Sequence, residues 1–121
     1  MPHRFPRSAR LGDLFKREIA TMTMTNEIKD PRIHGLVTIM HVDVSKDLKH
    51  AKVYVSVMGT EEEKSEVLSA FVHAAPFIRR MLGSRLRLKK IPDLCFELDR
   101  TVDDHFRIES LLDSNKWKRE A

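Results

Sequence analysis

The sequence predicts an α+β fold, a two-layer sandwich in which helices cover one side of a three-stranded sheet. Three observations lead there: an apolar repeat of helical period near the N-terminus, two adjoining segments of strict alternation rich in β-branched residues, and a strong helix-start signature directly after them. The predicted order is helix, strand, strand, two helices meeting at a kink, strand. Three strands make too small a sheet to be wrapped on both faces, so the helices share one layer. Size agrees: 121 residues with 41% hydrophobic content suit one domain of about 100–150 residues. Such a chain removes roughly two-thirds of its unfolded surface from water and needs no disulfide or metal to hold it.

Each element has its own reason. Leu11, Leu14, Phe15, Ile19 and Met22 recur at helical spacing over 11–22, with Lys16, Arg17 and Glu18 opposite them. Asp30-Pro31 bounds this helix, because a residue before proline is driven out of the α region. Over 36–45 one strand face reads Leu36, Thr38, Met40, Val42, Val44. Ser45-Lys46-Asp47-Leu48 supplies turn chemistry, and Ala51, Val53, Val55 and Val57 alternate with Lys52, Tyr54 and Ser56 to complete a hairpin. Thr60-Glu61-Glu62-Glu63 is a capping box that opens a helix burying Val67, Leu68, Phe71 and Val72. Pro76 inside that helix would lose a hydrogen bond and clash with the carbonyl of Val72, whereas at the first position of a new helix it costs nothing. The reading is therefore a kink at Ala74-Ala75-Pro76, a second helix burying Phe77, Ile78, Met81 and Leu82, and Gly83 as its C-terminal stop. Leu86, Leu88, Leu94, Phe96 and Leu98 alternate as a last strand interrupted near Pro92, and Ile108, Leu111 and Leu112 suggest a short final helix. These boundaries give a basic N-terminal arm over 1–9, a domain over 10–113 and a polar tail with Trp117 over 114–121. The methionines at 22, 24, 40, 58 and 81 read as core filler.

The charge is unevenly placed. Lys plus Arg number 22 against 18 Asp plus Glu, for a net +4. From His73 to Pro92, however, there are six basic residues, Arg79, Arg80, Arg85, Arg87, Lys89 and Lys90, and no acid. Residues 93–113 then carry a net −5. Arg4, Arg7 and Arg10 add to the positive sign, with no acid before Asp13. If 85–89 is extended, Arg85, Arg87 and Lys89 emerge on one face, and a helix beginning at Pro76 offers free amides to a phosphate beside Arg79 and Arg80. Arginine's planar fork suits phosphate oxygens, so the expected partner is RNA or DNA. Six phosphate contacts predict that log affinity falls with log salt at a slope of about −4 to −5.

Other chemistries find little footing. Asp43-Val44-Ser45-Lys46-Asp47 starts like a calcium loop, but Leu48 stands where glycine belongs and Tyr54 where the bidentate glutamate belongs. The six histidines never pair at i, i+4, and Cys95 is the only cysteine, so no metal, cofactor or disulfide is expected and a reducing, cytoplasmic setting is. Four glycines form no phosphate-cradling loop. A hydrolase assembled from Ser45, His50 and Asp43 or Asp47 lacks any nucleophile elbow or oxyanion site. No apolar run reaches the 18 residues of a membrane span, and the N-terminus has no apolar signal region.

Several separated motifs, in order, resemble the ribosome-binding factor A family: Glu27-Ile28-Lys29-Asp30-Pro31-Arg32, Val42 to Leu48, Ala51 to Ser56, Phe77-Ile78-Arg79, and Ile91-Pro92-Asp93-Leu94 with Phe96 and Asp99. The similarity runs from about Arg7 to Leu112. It implies a KH domain of type II topology in which a helix-kink-helix replaces the usual GXXG loop. It also implies a non-enzymatic factor that binds the small (30S) ribosomal subunit and its 16S rRNA during late maturation, supports growth in the cold, and is released by a ribosome-associated GTPase. The family commonly has Gly where this chain has Pro76, which implies a stiffer kink here. The expected RNA-binding residues are Arg4, Arg7 and Arg10 on a flexible arm with Arg79, Arg80, Arg85, Arg87, Lys89 and Lys90, on a chain acting as a monomer. The rival is a basic module that docks an acidic protein.

Overall fold

The computed structural model describes residues 6–100. Two helices and three strands follow the chain as α1 (Arg7–Met24), β1 (Val37–Val44), β2 (His50–Val57), α2 (Glu61–Leu86) and β3 (Asp93–Leu98). The sheet order is β1-β2-β3. β1 and β2 pair antiparallel through the expected hairpin, and β2 and β3 pair parallel. A parallel return needs a long crossover, and α2 is that crossover. α1 packs on β1, and α2 packs on β3 and β2. The α+β two-layer architecture of the KH-like kind is thus present.

The core is the seam between these layers. Phe15, Ile19 and Met22 of α1, Val53 and Val55 of β2, and Phe71, Ile78 and Leu82 of α2 are wholly buried. Phe71 stacks on Phe96 of β3 with centroids 5.3 Å apart. Gly12 sits where α1 crosses β1, and a β-carbon there would stand 2.6 Å from the carbonyl oxygen of Val42. The missing side chain sets how closely this helix approaches the sheet.

Four local expectations are corrected. First, the residues on either side of Pro76 form one helix, with Ala74, Ala75 and Pro76 inside it. Val67, Phe71, Ile78 and Leu82 follow one another at spacings of four, seven and four, so one buried face continues through the proline. Burying four such side chains, at about 1.5–3 kcal/mol each, outweighs the roughly 3 kcal/mol that an interior proline costs. Second, the chain does not become extended at Leu86. α2 runs three residues past Gly83 and ends at Arg87, whose backbone is left-handed (φ 53°). The amides of Arg87 and Leu88 both donate to the Gly83 carbonyl, and such a cap consumes the residues that a strand would use. Third, β1 pairs Ile39 with Val55 and His41 with Tyr54, skipping Met40. This bulge moves the buried face to Ile39, Val42 and Val44 and leaves Thr38 and Leu36 exposed. Fourth, α1 begins at Arg7, so Arg7 and Arg10 belong to a helix and not to a flexible arm. Met24 and Met58 are exposed at 81% and 56%, not core. Arg4, the predicted helix over 108–112 and Trp117 lie outside the described residues.

Candidate nucleic-acid interface

The basic residues divide according to what stands beside them. Arg85, on the last turn of α2, is held by two carboxylates: its guanidinium donates to Glu27 and lies 3.6 Å from Glu18. The hydrogen bond from Arg85, followed by one from Thr25, keeps the Glu27 carboxyl below the usual carboxylate range. Arg79 turns inward. Its guanidinium donates to the carbonyls of Ile91 (2.9 Å) and Pro92 (3.2 Å) and lies 3.6 Å from Asp93. A planar fork that grips two successive carbonyls is a structural clasp, and it fixes the segment carrying Lys89 and Lys90. Both arginines therefore spend donors on partners within the chain, although the Arg79 side chain stays 41% exposed. Because α2 is continuous at Pro76, no free helix N-terminus exists there, and the phosphate site expected at the kink loses its amides.

Four of the predicted residues do converge. Arg7 and Arg10 from the first turns of α1, and Lys89 and Lys90 from the segment between α2 and β3, line one groove of about 1180 Å³. Arg79 contributes to its wall from within. Arg80 and Arg87 are exposed outside it, and the Arg80 guanidinium sits 6.0 Å from the centroid of the Phe77 ring. Lys49 and His50 at the hairpin turn also line the groove and were not among the expected RNA-binding residues. The Asp93 amide donates to the Lys49 carbonyl (2.9 Å) and His50 pairs with Asp93, which draws the turn against the start of β3. Lys49 stands alone between Leu48 and His50 in the sequence, so no charge run announces it.

Around this groove the acids are few and already engaged. Asp47 accepts from the Ser45 hydroxyl (2.6 Å) and the Lys49 amide (3.0 Å), and Asp93 faces Arg79. Among the described lining residues, six cations therefore meet two carboxylates. The first turn of α1 carries no acid to offset its positive dipole end. The same contacts remove the hydrolase reading. The Ser45 oxygen accepts from the His50 backbone amide (3.0 Å), while its own proton goes to Asp47, so the trio is a turn. No group of three His, Cys, Asp or Glu side chains among the described residues is placed to hold a metal ion.

The fold and the site together define a small KH-like α+β domain with a cationic groove at the hairpin-turn end of its sheet. A family model for ribosome-binding factor A matches residues 7–112, and the chain belongs to that family. The ribosome-binding factor A of Acetivibrio thermocellus is 46% identical over 106 residues, covering 88% of this chain and 85% of that one. That of Thioalkalivibrio sulfidiphilus is 42% identical over 113 residues, covering 93% and 86%. The crystal structure of ribosome-binding factor A from Thermus thermophilus superposes with a TM-score of 0.65 at 32% identity, covering 78% of this chain and 98% of the other. Coordinates of the Thermus thermophilus factor fitted into a cryo-electron microscopy map of a 30S complex give a TM-score of 0.62, also at 32% identity, covering 76% and 94%. No helix among the described residues is long and apolar enough to cross a membrane.

Proposed function

We propose that this protein is a non-enzymatic assembly factor that binds the small ribosomal subunit on its 16S rRNA during late maturation and rRNA processing in the cytoplasm, and that it supports growth in the cold. The observation that carries the reading is the groove, where five exposed cations from three separate chain segments gather and outnumber its two carboxylates, Asp47 and Asp93. Concentrating like charge is unfavourable for the isolated fold and favourable against a polyanion. The family membership and the Thermus thermophilus factor fitted into a 30S complex support the choice of polyanion. Phosphate contacts supply affinity here and RNA shape supplies selectivity. On the family resemblance, the protein acts as a monomer and a ribosome-associated GTPase drives its release.

Sedimentation of tagged protein through a gradient of cell extract tests this directly. The expected result is comigration with free small subunits, lost when Arg7, Arg10, Lys89 and Lys90 are replaced by Ala. Capture of an acidic protein that survives nuclease treatment, without comigration, would favour the protein-docking rival.

A further inference from the structure

The helices cover one face of the sheet, and among the described residues no element packs on the other. A solvated second face is ordinary for an antiparallel pair and reads as polar side chains. Asp43 opposite Lys52 fits that pattern. The end of the sheet away from the hairpin turn does not. The Met58 amide donates to the Leu36 carbonyl (3.1 Å), which carries the hairpin register one step past Val37 and Val57, and alternation puts both side chains on the open face. Leu36 is 67% exposed and Met58 56%. Further along the same face, the rings of His41 and Tyr54 stack with centroids 6.1 Å apart. A cross-strand pair of large apolar side chains, continued by a tyrosine, is surface that gains by being covered.

Charge decides what kind of cover it takes. Asp43 and Glu97 share this face with one lysine, Lys52, which lies opposite Asp43 and 3.8 Å from Glu97. The three strands hold no arginine. Beyond Met58 the chain enters α2 through Glu61, Glu62 and Glu63, all exposed, with Arg100 paired to Glu61. Carboxylates are in excess here, the opposite of the groove. RNA is a poor occupant, since its phosphates would meet those carboxylates. A particle built on RNA also presents proteins, and proteins grip RNA through Lys and Arg, so their segments are basic. Met58 lies eight residues along from His50, or about 27 Å at about 3.4 Å per residue, so the groove and this face can be engaged at once.

We infer that the open sheet face around Leu36, Met58 and Tyr54 is a second docking surface, and that its occupant is a lysine- and arginine-rich protein segment of the particle whose RNA the groove holds. Apolar side chains of that segment cover Leu36 and Met58, and its cations face Asp43, Glu97 and the glutamates that open α2. The inference rests on the small-subunit reading and adds a protein contact to it.

The test compares purified small subunits with protein-free 16S rRNA, using the full chain. Leu36→Ser/Met58→Ser should weaken binding to subunits about tenfold and change binding to the free rRNA less than about twofold. Both side chains are exposed, and a matching thermal melt confirms the fold. An equal effect on the two ligands, or none on subunits, overturns the proposal. A second measurement identifies the occupant. A benzophenone maleimide on the Met58→Cys thiol of a Cys95→Ser chain, which then has no other cysteine, should on irradiation join a subunit protein through a peptide of net positive charge. Adducts on rRNA, on an acidic peptide, on a second copy of this chain or on its own residues 101–121 overturn the proposal, as does the absence of any adduct. Comigration of wild-type protein with small subunits separates the two levels. Where it holds and these arms fail, only the protein contact falls; where it is absent, the small-subunit reading falls as well.

Discussion

Around the C-terminal end of α2, basic residues close together in sequence stand in opposite states. At the last turn, Arg85 is enclosed by Glu18 and Glu27, and nearby in sequence Asp30 accepts three hydrogen bonds from Arg32 around Pro31, from its amide and two guanidinium nitrogens. A few residues later, Lys89 and Lys90 join Arg7, Arg10 and Lys49 at a groove where cations outnumber the two carboxylates, Asp47 and Asp93. The difference lies in the acids that the fold delivers to each place. Residues 25–32 bring Glu27 and Asp30 to their arginines, while the hairpin turn and the β3 start bring Lys49 and an Asp93 already facing Arg79. Charge that is neutralised within the chain serves the fold, and charge left open is available to a partner.

The largest expected effect comes from removing the open charges. The variant with Arg7, Arg10, Lys89 and Lys90 replaced by Ala should lose about a hundredfold or more in affinity for small subunits at physiological salt, about 2.7 kcal/mol or more. Its thermal melt should stay near that of the wild type, since none of the four is buried. Next comes a change that touches only the scaffold. Gly12→Ala places a methyl against the Val42 carbonyl and should cost about 1–3 kcal/mol in chemical denaturation. RNA affinity of the fraction that remains folded should be unchanged. Arg85→Ala should show the reverse of the groove variant: a lower melting temperature, because Glu27 and Glu18 lose their counter-charge, with RNA affinity within about twofold of wild type.

The smallest effect concerns pH. The guanidinium of Arg32, and then its amide, hold the Asp30 carboxyl down at about 2 from an ordinary 3.8. A depressed folded-state value means that the contribution of Asp30 is complete above about pH 4 and fades as pH falls towards about 2. Asp30→Asn should therefore flatten the loss of stability in that window, read as urea midpoints across it, and leave neutral-pH RNA binding alone.

The sequence carried the element order, the hairpin and the capping box at Thr60, because each rests on neighbours a few residues apart. Thr60 and Glu63 do exchange both hydrogen bonds. What it hid depends on distant partners. Arg85 meets Glu27 across 58 residues, and no local pattern announces that a charge run will be partly neutralised. Lys49 reaches the groove only because β3 pairs parallel beside β2. Pro76 misled because its local penalty is visible in sequence, while the buried face that overrides it becomes evident only once Phe71 and Ile78 are seen on one side. The Met40 bulge left the strand in place and changed which residues it buries.

The most direct test of the division between open and neutralised charge is the salt dependence of binding to small subunits. Five groove cations predict a slope of log affinity against log salt of about −3.5 to −4.5, shallower by about 1.4–1.8 in Lys89→Ala/Lys90→Ala and unchanged in Arg85→Ala. A slope that drops on removing Arg85 and holds on removing the two lysines would contradict the account.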